Sequence, residues 1–158
     1  MNKTVIRRLF YILALALALV SCAEEFDDTS QAGKDFLEAN KANSDVCVTA
    51  SGLQYKVIKD NPYGIYPRII TGYIKLNLTG YFLDGTVYES GEGKTYLYSS
   101  LISGLKEAVR RMKIGSKWRV WIPSGLAFGS DGVTDSSGAY LVDPNTTMIY
   151  DVELLEEY

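Results

Sequence analysis

The chain has 158 residues, 47% of them hydrophobic and 22% charged, which is room for one core and a targeting segment but not for several domains. Its net charge of -3 supplies no basic surface for nucleic acid. The absence of histidine excludes Ser-His-Asp and Cys-His catalysis, histidine-ligated zinc and histidine pH switching together, and the two cysteines, Cys22 and Cys47, are too few for a disulfide scaffold or a thiolate metal cluster.

Lys3, Arg7 and Arg8 precede LFYILALALALV, an apolar run too short to span a bilayer as a helix, so residues 1–21 read as a secretory signal. The run ends in Leu19-Val20-Ser21-Cys22, which resembles a bacterial lipoprotein lipobox. That resemblance implies that Cys22 is lipidated and ties the mature chain to the outer membrane. The acidic run Ala23–Asp28 reads either as a solvated spacer or as the export signal found after the lipidated cysteine of surface-displayed bacterial lipoproteins. Residues 30–44 are polar, with Phe36, Leu37 and Ala39 giving a weak helical face, so 22–49 is expected to be a lipidated tether with or without a short helix.

From residue 50 the pattern changes to strands. Leu53, Tyr55 and Val57 alternate with Gln54, Lys56 and Ile58, and a longer strand runs from Ile69 to Phe82, with Ile74, Leu76 and Leu78 set against Tyr73, Lys75 and Asn77. Asp84-Gly85 is a hairpin turn leading into a strand over 86–89, and a separate short strand covers 96–98. Leu105, Ala108, Val109 and Met112 then recur at helical spacing, with Ser100 or Ser103 available as a cap and Gly115 as a stop. Trp118, Val120 and Ile122 form the next alternating strand, residues 130–145 a Gly/Ser/Asp-rich flap, and TTMIYDVELL at 146–155 a last, central strand. These elements predict an α+β domain over 50–158, an antiparallel sheet around one short helix.

Two motifs lead nowhere. Gly91-Glu92-Gly93-Lys94-Thr95 looks like the end of a phosphate-binding loop, but the glycine such a loop needs five residues before Gly93 is Tyr88. Asp131, Asp135 and Asp143 lack the spacing of a calcium loop.

One resemblance covers 50–155. ASGLQYKVIK, LTGYFLDGTVYES, LISGLKEAVRRMKIGSKWRVWIPSGLAFG and PNTTMIYDVELL, in that order, are similar to the FKBP-type peptidyl-prolyl cis-trans isomerases, and most similar to their macrophage infectivity potentiator branch, including FLEANK before the domain. The resemblance implies a twisted antiparallel sheet wrapped around the helix and an apolar, aromatic-lined cleft. It also implies catalysis on proline-containing or unfolded polypeptides without nucleophile, metal or cofactor, as a folding helper for exported proteins; a non-catalytic chaperone or surface binding module on the same fold is the alternative.

Carried over by motif, the catalytic residues are Tyr88, Glu89, Ile102, Phe128 and Tyr150, and the substrate-binding ones Leu78, Leu101, Leu105 and Val142. Leu105 stands where the family usually has a tryptophan floor, Leu78 where it has a tyrosine, and Glu89 where it has aspartate. These departures imply a weakened activity.

Overall fold

The computed structural model describes residues 29–68 and 72–158. Cys22, the signal segment and the acidic run lie outside the described residues. Helix α1 (Thr29–Asn40) is followed by strands β1 (Cys47–Val48), β2 (Gln54–Lys59), β3 (Tyr73–Tyr81) and β4 (Val87–Leu97), then helix α2 (Ser103–Arg111), β5 (Lys117–Ile122), a small hairpin of β6 (Val133–Thr134) and β7 (Tyr140–Val142), and β8 (Met148–Glu157). The main sheet is antiparallel, in the order β1-β2-β5-β8-β3-β4. The expected last strand is indeed central, and the α+β reading is borne out. No helix among the described residues is long and apolar enough to cross a membrane.

Leu105, Ala108, Val109 and Met112 of the helical stripe are all buried against the sheet. The close approach of α2 depends on Gly104, because a Cβ there would collide with the Ile122 side chain of β5. Burial of these four side chains against Ile74, Leu76, Val120, Val152 and Leu154 makes the core.

The capping expectation fails. The residue before α2 is Ile102, which makes no side-chain capping bond, and Ser100 instead donates to the Leu97 carbonyl at 2.7 Å within a 3-10 turn over Tyr98–Ser100. Gly115 does adopt a left-handed conformation (φ 85), and its N–H donates to Leu154 O.

Strands expected to be separate at 86–89 and 96–98 are one, β4, and Tyr98 belongs to the 3-10 turn. The Gly91–Lys94 motif is what keeps β4 continuous. Leu76 pairs with Lys94 but Leu78 with Gly91, an extra residue absorbed at Gly93 (φ 59), whose N–H is taken up by Asn77 Oδ1 at 2.7 Å. A phosphate-loop lookalike is therefore a strand bulge.

In β2 the alternation is also overridden. Gln54 is 3% exposed, because α1 lies over the start of β2, while Val57 further along is exposed. Asn40 Nδ2 donates to Gln54 Oε1 and Gln54 Nε2 to Leu37 O, both at 2.8 Å, so the buried amide is satisfied. The α1 segment is thus a helix held on the sheet, and a Cβ at Gly33 would strike the Thr147 hydroxyl.

Candidate functional site

Across the sheet, register puts Glu89 of β4, Gly80 of β3 and Tyr150 of β8 in one row. The middle position must be glycine. A Cβ there would lie 2.6 Å from Tyr150 Cε1, and its absence lets the tyrosine ring cross β3 and donate its hydroxyl to Glu89 Oε1 at 3.0 Å. Gly80 pairs with Glu89 while Tyr81 pairs with Val87, so Tyr88 is the extra residue of a second bulge. A bulge re-aims side chains; both Tyr88 and Glu89, neighbours that a regular strand would send to opposite faces, line the same cavity.

That cavity holds about 210 Å³. Leu78 and Leu105, each 2% exposed, and Leu101 supply aliphatic surface from β3, α2 and the turn before it. Ile102 stands at the start of α2, and Phe128 reaches in from the loop after β5. Phe128 is edge-on to Tyr88, ring centres 5.7 Å apart, and Tyr88 edge-on to Phe82 at 5.9 Å. The loop carrying Phe128 is stitched to the base of the flap: the carbonyl of Gly129 (φ 65) accepts the Asn145 N–H at 2.7 Å, and the Gly129 N–H donates to Ser124 O at 2.9 Å.

Eight of the nine cleft residues named from the sequence therefore come together around one cavity. Val142 does not line it; it is buried within the flap, in β7 opposite Val133. Tyr96 and Ser100 line the cavity and were not among the sequence candidates. Tyr96 sits opposite Ile74 in β4, and its only sequence signal is the alternation of Tyr96 and Tyr98 before the helix.

The electrostatics are set by one carboxylate among phenols. Burial, with Glu89 adding to it, pushes the Tyr150 hydroxyl far above the ordinary value of 10.0. The same two causes, in the same order, raise Tyr88 and Tyr96. These hydroxyls keep their protons, and Tyr150 donates its own to Glu89. No side chain here is arranged as a nucleophile with a base; what the site offers is an apolar, aromatic-walled recess with one acid fixed on its wall.

A recess of about 210 Å³ lies below the roughly 300–1,000 Å³ usual for sites that enclose a whole small ligand. It suits one side chain or ring of a larger molecule.

Comparison with known proteins gives the same picture. Residues 71–155 match the family model for FKBP-type peptidyl-prolyl cis-trans isomerase, and residues 15–57 that for the domain amino terminal to it. The chain is 35% identical over 137 residues to the FKBP-type 22 kDa peptidyl-prolyl cis-trans isomerase of Escherichia coli, covering 84% of this chain and 63% of that one. It is 35% identical over 133 residues to the outer membrane protein MIP of Legionella longbeachae, covering 82% and 54%. The chain thus spans between half and two thirds of the length of these relatives. Among solved structures, a peptidyl-prolyl cis-trans isomerase from Pseudomonas syringae superposes with a TM-score of 0.72 at 27% identity over 83% of this chain and 94% of that one. FkpA from Escherichia coli shares the fold, with a TM-score of 0.72 at 24% identity over 99% and 73%.

Proposed function

The chain belongs to the family of FKBP-type peptidyl-prolyl cis-trans isomerases, and on that footing we propose that it catalyses cis-trans isomerisation of X-Pro bonds in exported polypeptides, anchored by a lipid on Cys22. The observation that carries this reading is the aromatic-walled recess with Glu89 held by Tyr150.

The chemistry asks for little else. Rotation about an X-Pro bond meets a barrier of about 18–20 kcal/mol because amide resonance must be broken. A prolyl ring seated among Tyr88, Phe128, Leu101 and Leu105 leaves water behind, and the twisted amide, with less charge separation than the planar one, is favoured in that dry setting. The Ile102 backbone N–H at the cavity edge is the donor for the substrate carbonyl. The Tyr150 bond to Glu89 keeps the acid in one position throughout. With leucine at the floor and at position 78 there is less aromatic contact with the prolyl ring, so the rate is lower than with an aromatic floor.

The test is an isomerisation assay on the domain with a proline peptide. A rate above the uncatalysed one, lost when the wall of the recess is broken by Tyr150→Ala, is expected. Turnover equal to the uncatalysed rate by a folded domain that still binds unfolded polypeptide would replace catalysis with a holding role. Anchoring is tested separately by metabolic labelling with a fatty acid, which should mark the wild type and not Cys22→Ala.

A further inference from the structure

A second cavity, larger than the first at about 470 Å³, opens between α1, the β3–β4 turn and the segment leading into β8. Ala32 of α1 forms one side, Phe82 and Leu83 the apolar base, and Asp84, Asp143 and Thr147 the polar edge. Among the described residues, neither lysine nor arginine lines it. Phe82 joins the two cavities, since it is edge-on to Tyr88 and Tyr88 to Phe128. By way of Tyr88, the Phe82 and Phe128 rings lie at most about 12 Å apart, which an extended chain covers in no more than about four residues at roughly 3.3 Å each.

We infer that this cavity is a subsite for the segment of the same polypeptide that flanks the proline, and that it takes a lysine or arginine within about four residues of it. This rests on the isomerase reading of the first cavity. Continuity of the apolar surface gives the occupant a path, and the two carboxylates give it a sign. A lysine or arginine side chain matches both features, an apolar stem for Phe82 and Leu83 and a cation for the acidic edge. Asp84 is held in place and kept charged, because its carboxylate accepts the Thr86 N–H at 2.8 Å, which with the Thr86 hydroxyl holds it below the ordinary carboxylate value. Because Ala32 belongs to α1, the helix before the sheet would take part in choosing substrates, which gives its seating on Thr147 through Gly33 a functional reason.

Fluorescein-labelled proline octapeptides with lysine, glutamine or glutamate three or four residues before or after the proline test this by anisotropy at low salt, with the full chain. The lysine peptide on the favoured side should bind about threefold to fivefold more tightly than the glutamine one, with glutamate weakest, as expected for exposed ion pairs. The order should flatten in the Asp84→Asn/Asp143→Asn double variant and with rising salt. Ala32→Trp, which fills the cavity from the helix side, should weaken the octapeptides. A tetrapeptide too short to reach reports the first cavity by itself, so its failure to bind or turn over counts against the isomerase reading. Absence of charge preference in the wild type, or a preference that survives the double variant, overturns the subsite.

Discussion

The β4–β3–β8 wall of the recess is held by hydrogen bonds at fixed register, whereas its floor meets the recess with apolar side chains. On the wall, Glu89, Gly80 and Tyr150 have three distinct tasks: to accept, to make room, and to reach across. On the floor, Leu101 and Leu105 present only apolar surface. A floor of that kind tolerates a change of apolar side chain at modest cost, while the wall does not tolerate loss of a hydrogen-bonding group. Of the three departures from the usual family pattern, Leu105 falls on the floor, where the structure can absorb it, while Leu78 and Glu89 stand on the wall, in β3 and β4.

The largest effect should come from breaking the wall outright. Tyr150→Ala removes a ring that is 1% exposed, at about 3–5 kcal/mol, a large share of the roughly 5–15 kcal/mol of an ordinary domain. Denaturant titration should show that loss, and the isomerisation rate should fall to the uncatalysed one even at temperatures where the variant stays folded. If the rate survived, the recess would not be the site.

Tyr150→Phe separates packing from hydrogen bonding. The ring stays and the bond to Glu89 goes, at about 1–3 kcal/mol; because Glu89 is only half-buried, the low end applies. Denaturant titration should show a loss near that low end, and the rate should fall much less than in Tyr150→Ala, because the recess keeps its ring and only the fixing of the acid is lost. In a double-mutant cycle with Glu89→Gln the two losses should not add, because they remove one bond. Additive losses would mean that the hydroxyl and the acid act separately.

How much of this could be read in advance follows the same division. The floor is local: the helical stripe from Leu105 to Met112 is a period within one element and is buried as that period implies, as is the alternation of Ile74, Leu76 and Leu78 along β3. The wall is not local. The bulge that turns Tyr88 and Glu89 to one side exists only in the pairing of β4 with β3, and nothing in the order of residues marks it. Tyr96 escaped for the same reason, lying on a strand whose middle resembles a loop in sequence and is held in the sheet by the bond from Gly93 to Asn77. Gln54 is buried because Asn40, fourteen residues earlier, bonds to it, so its burial was likewise invisible to alternation.

The floor is tested by restoring bulk. Leu105→Trp should raise the rate, about threefold to tenfold, by adding aromatic contact with the prolyl ring and excluding water from the twisted amide. Overpacking should cost stability by about 1–3 kcal/mol, partly relieved by the adjoining cavity. A rate that drops as far as it does in Tyr150→Phe would show the floor to be as exacting as the wall.

The smallest expected effect is pH, and it separates wall from floor without touching the floor. Burial and Glu89 raise Tyr150 above its unfolded value near 10.0, so the folded state binds that proton more tightly than the unfolded one. The stability this contributes is fully present below about pH 10 and is lost as pH rises from there toward the folded value. With no histidine in the chain, the rate should stay level from about pH 6 to 9. In an alkaline titration followed by tyrosinate absorbance, the difference between wild type and Tyr150→Phe should be one phenol that ionises only as the domain unfolds. If that phenol ionised near pH 10 with the sheet intact, Tyr150 would be in contact with water, and a wall held by its hydrogen bond to Glu89 would have to be given up.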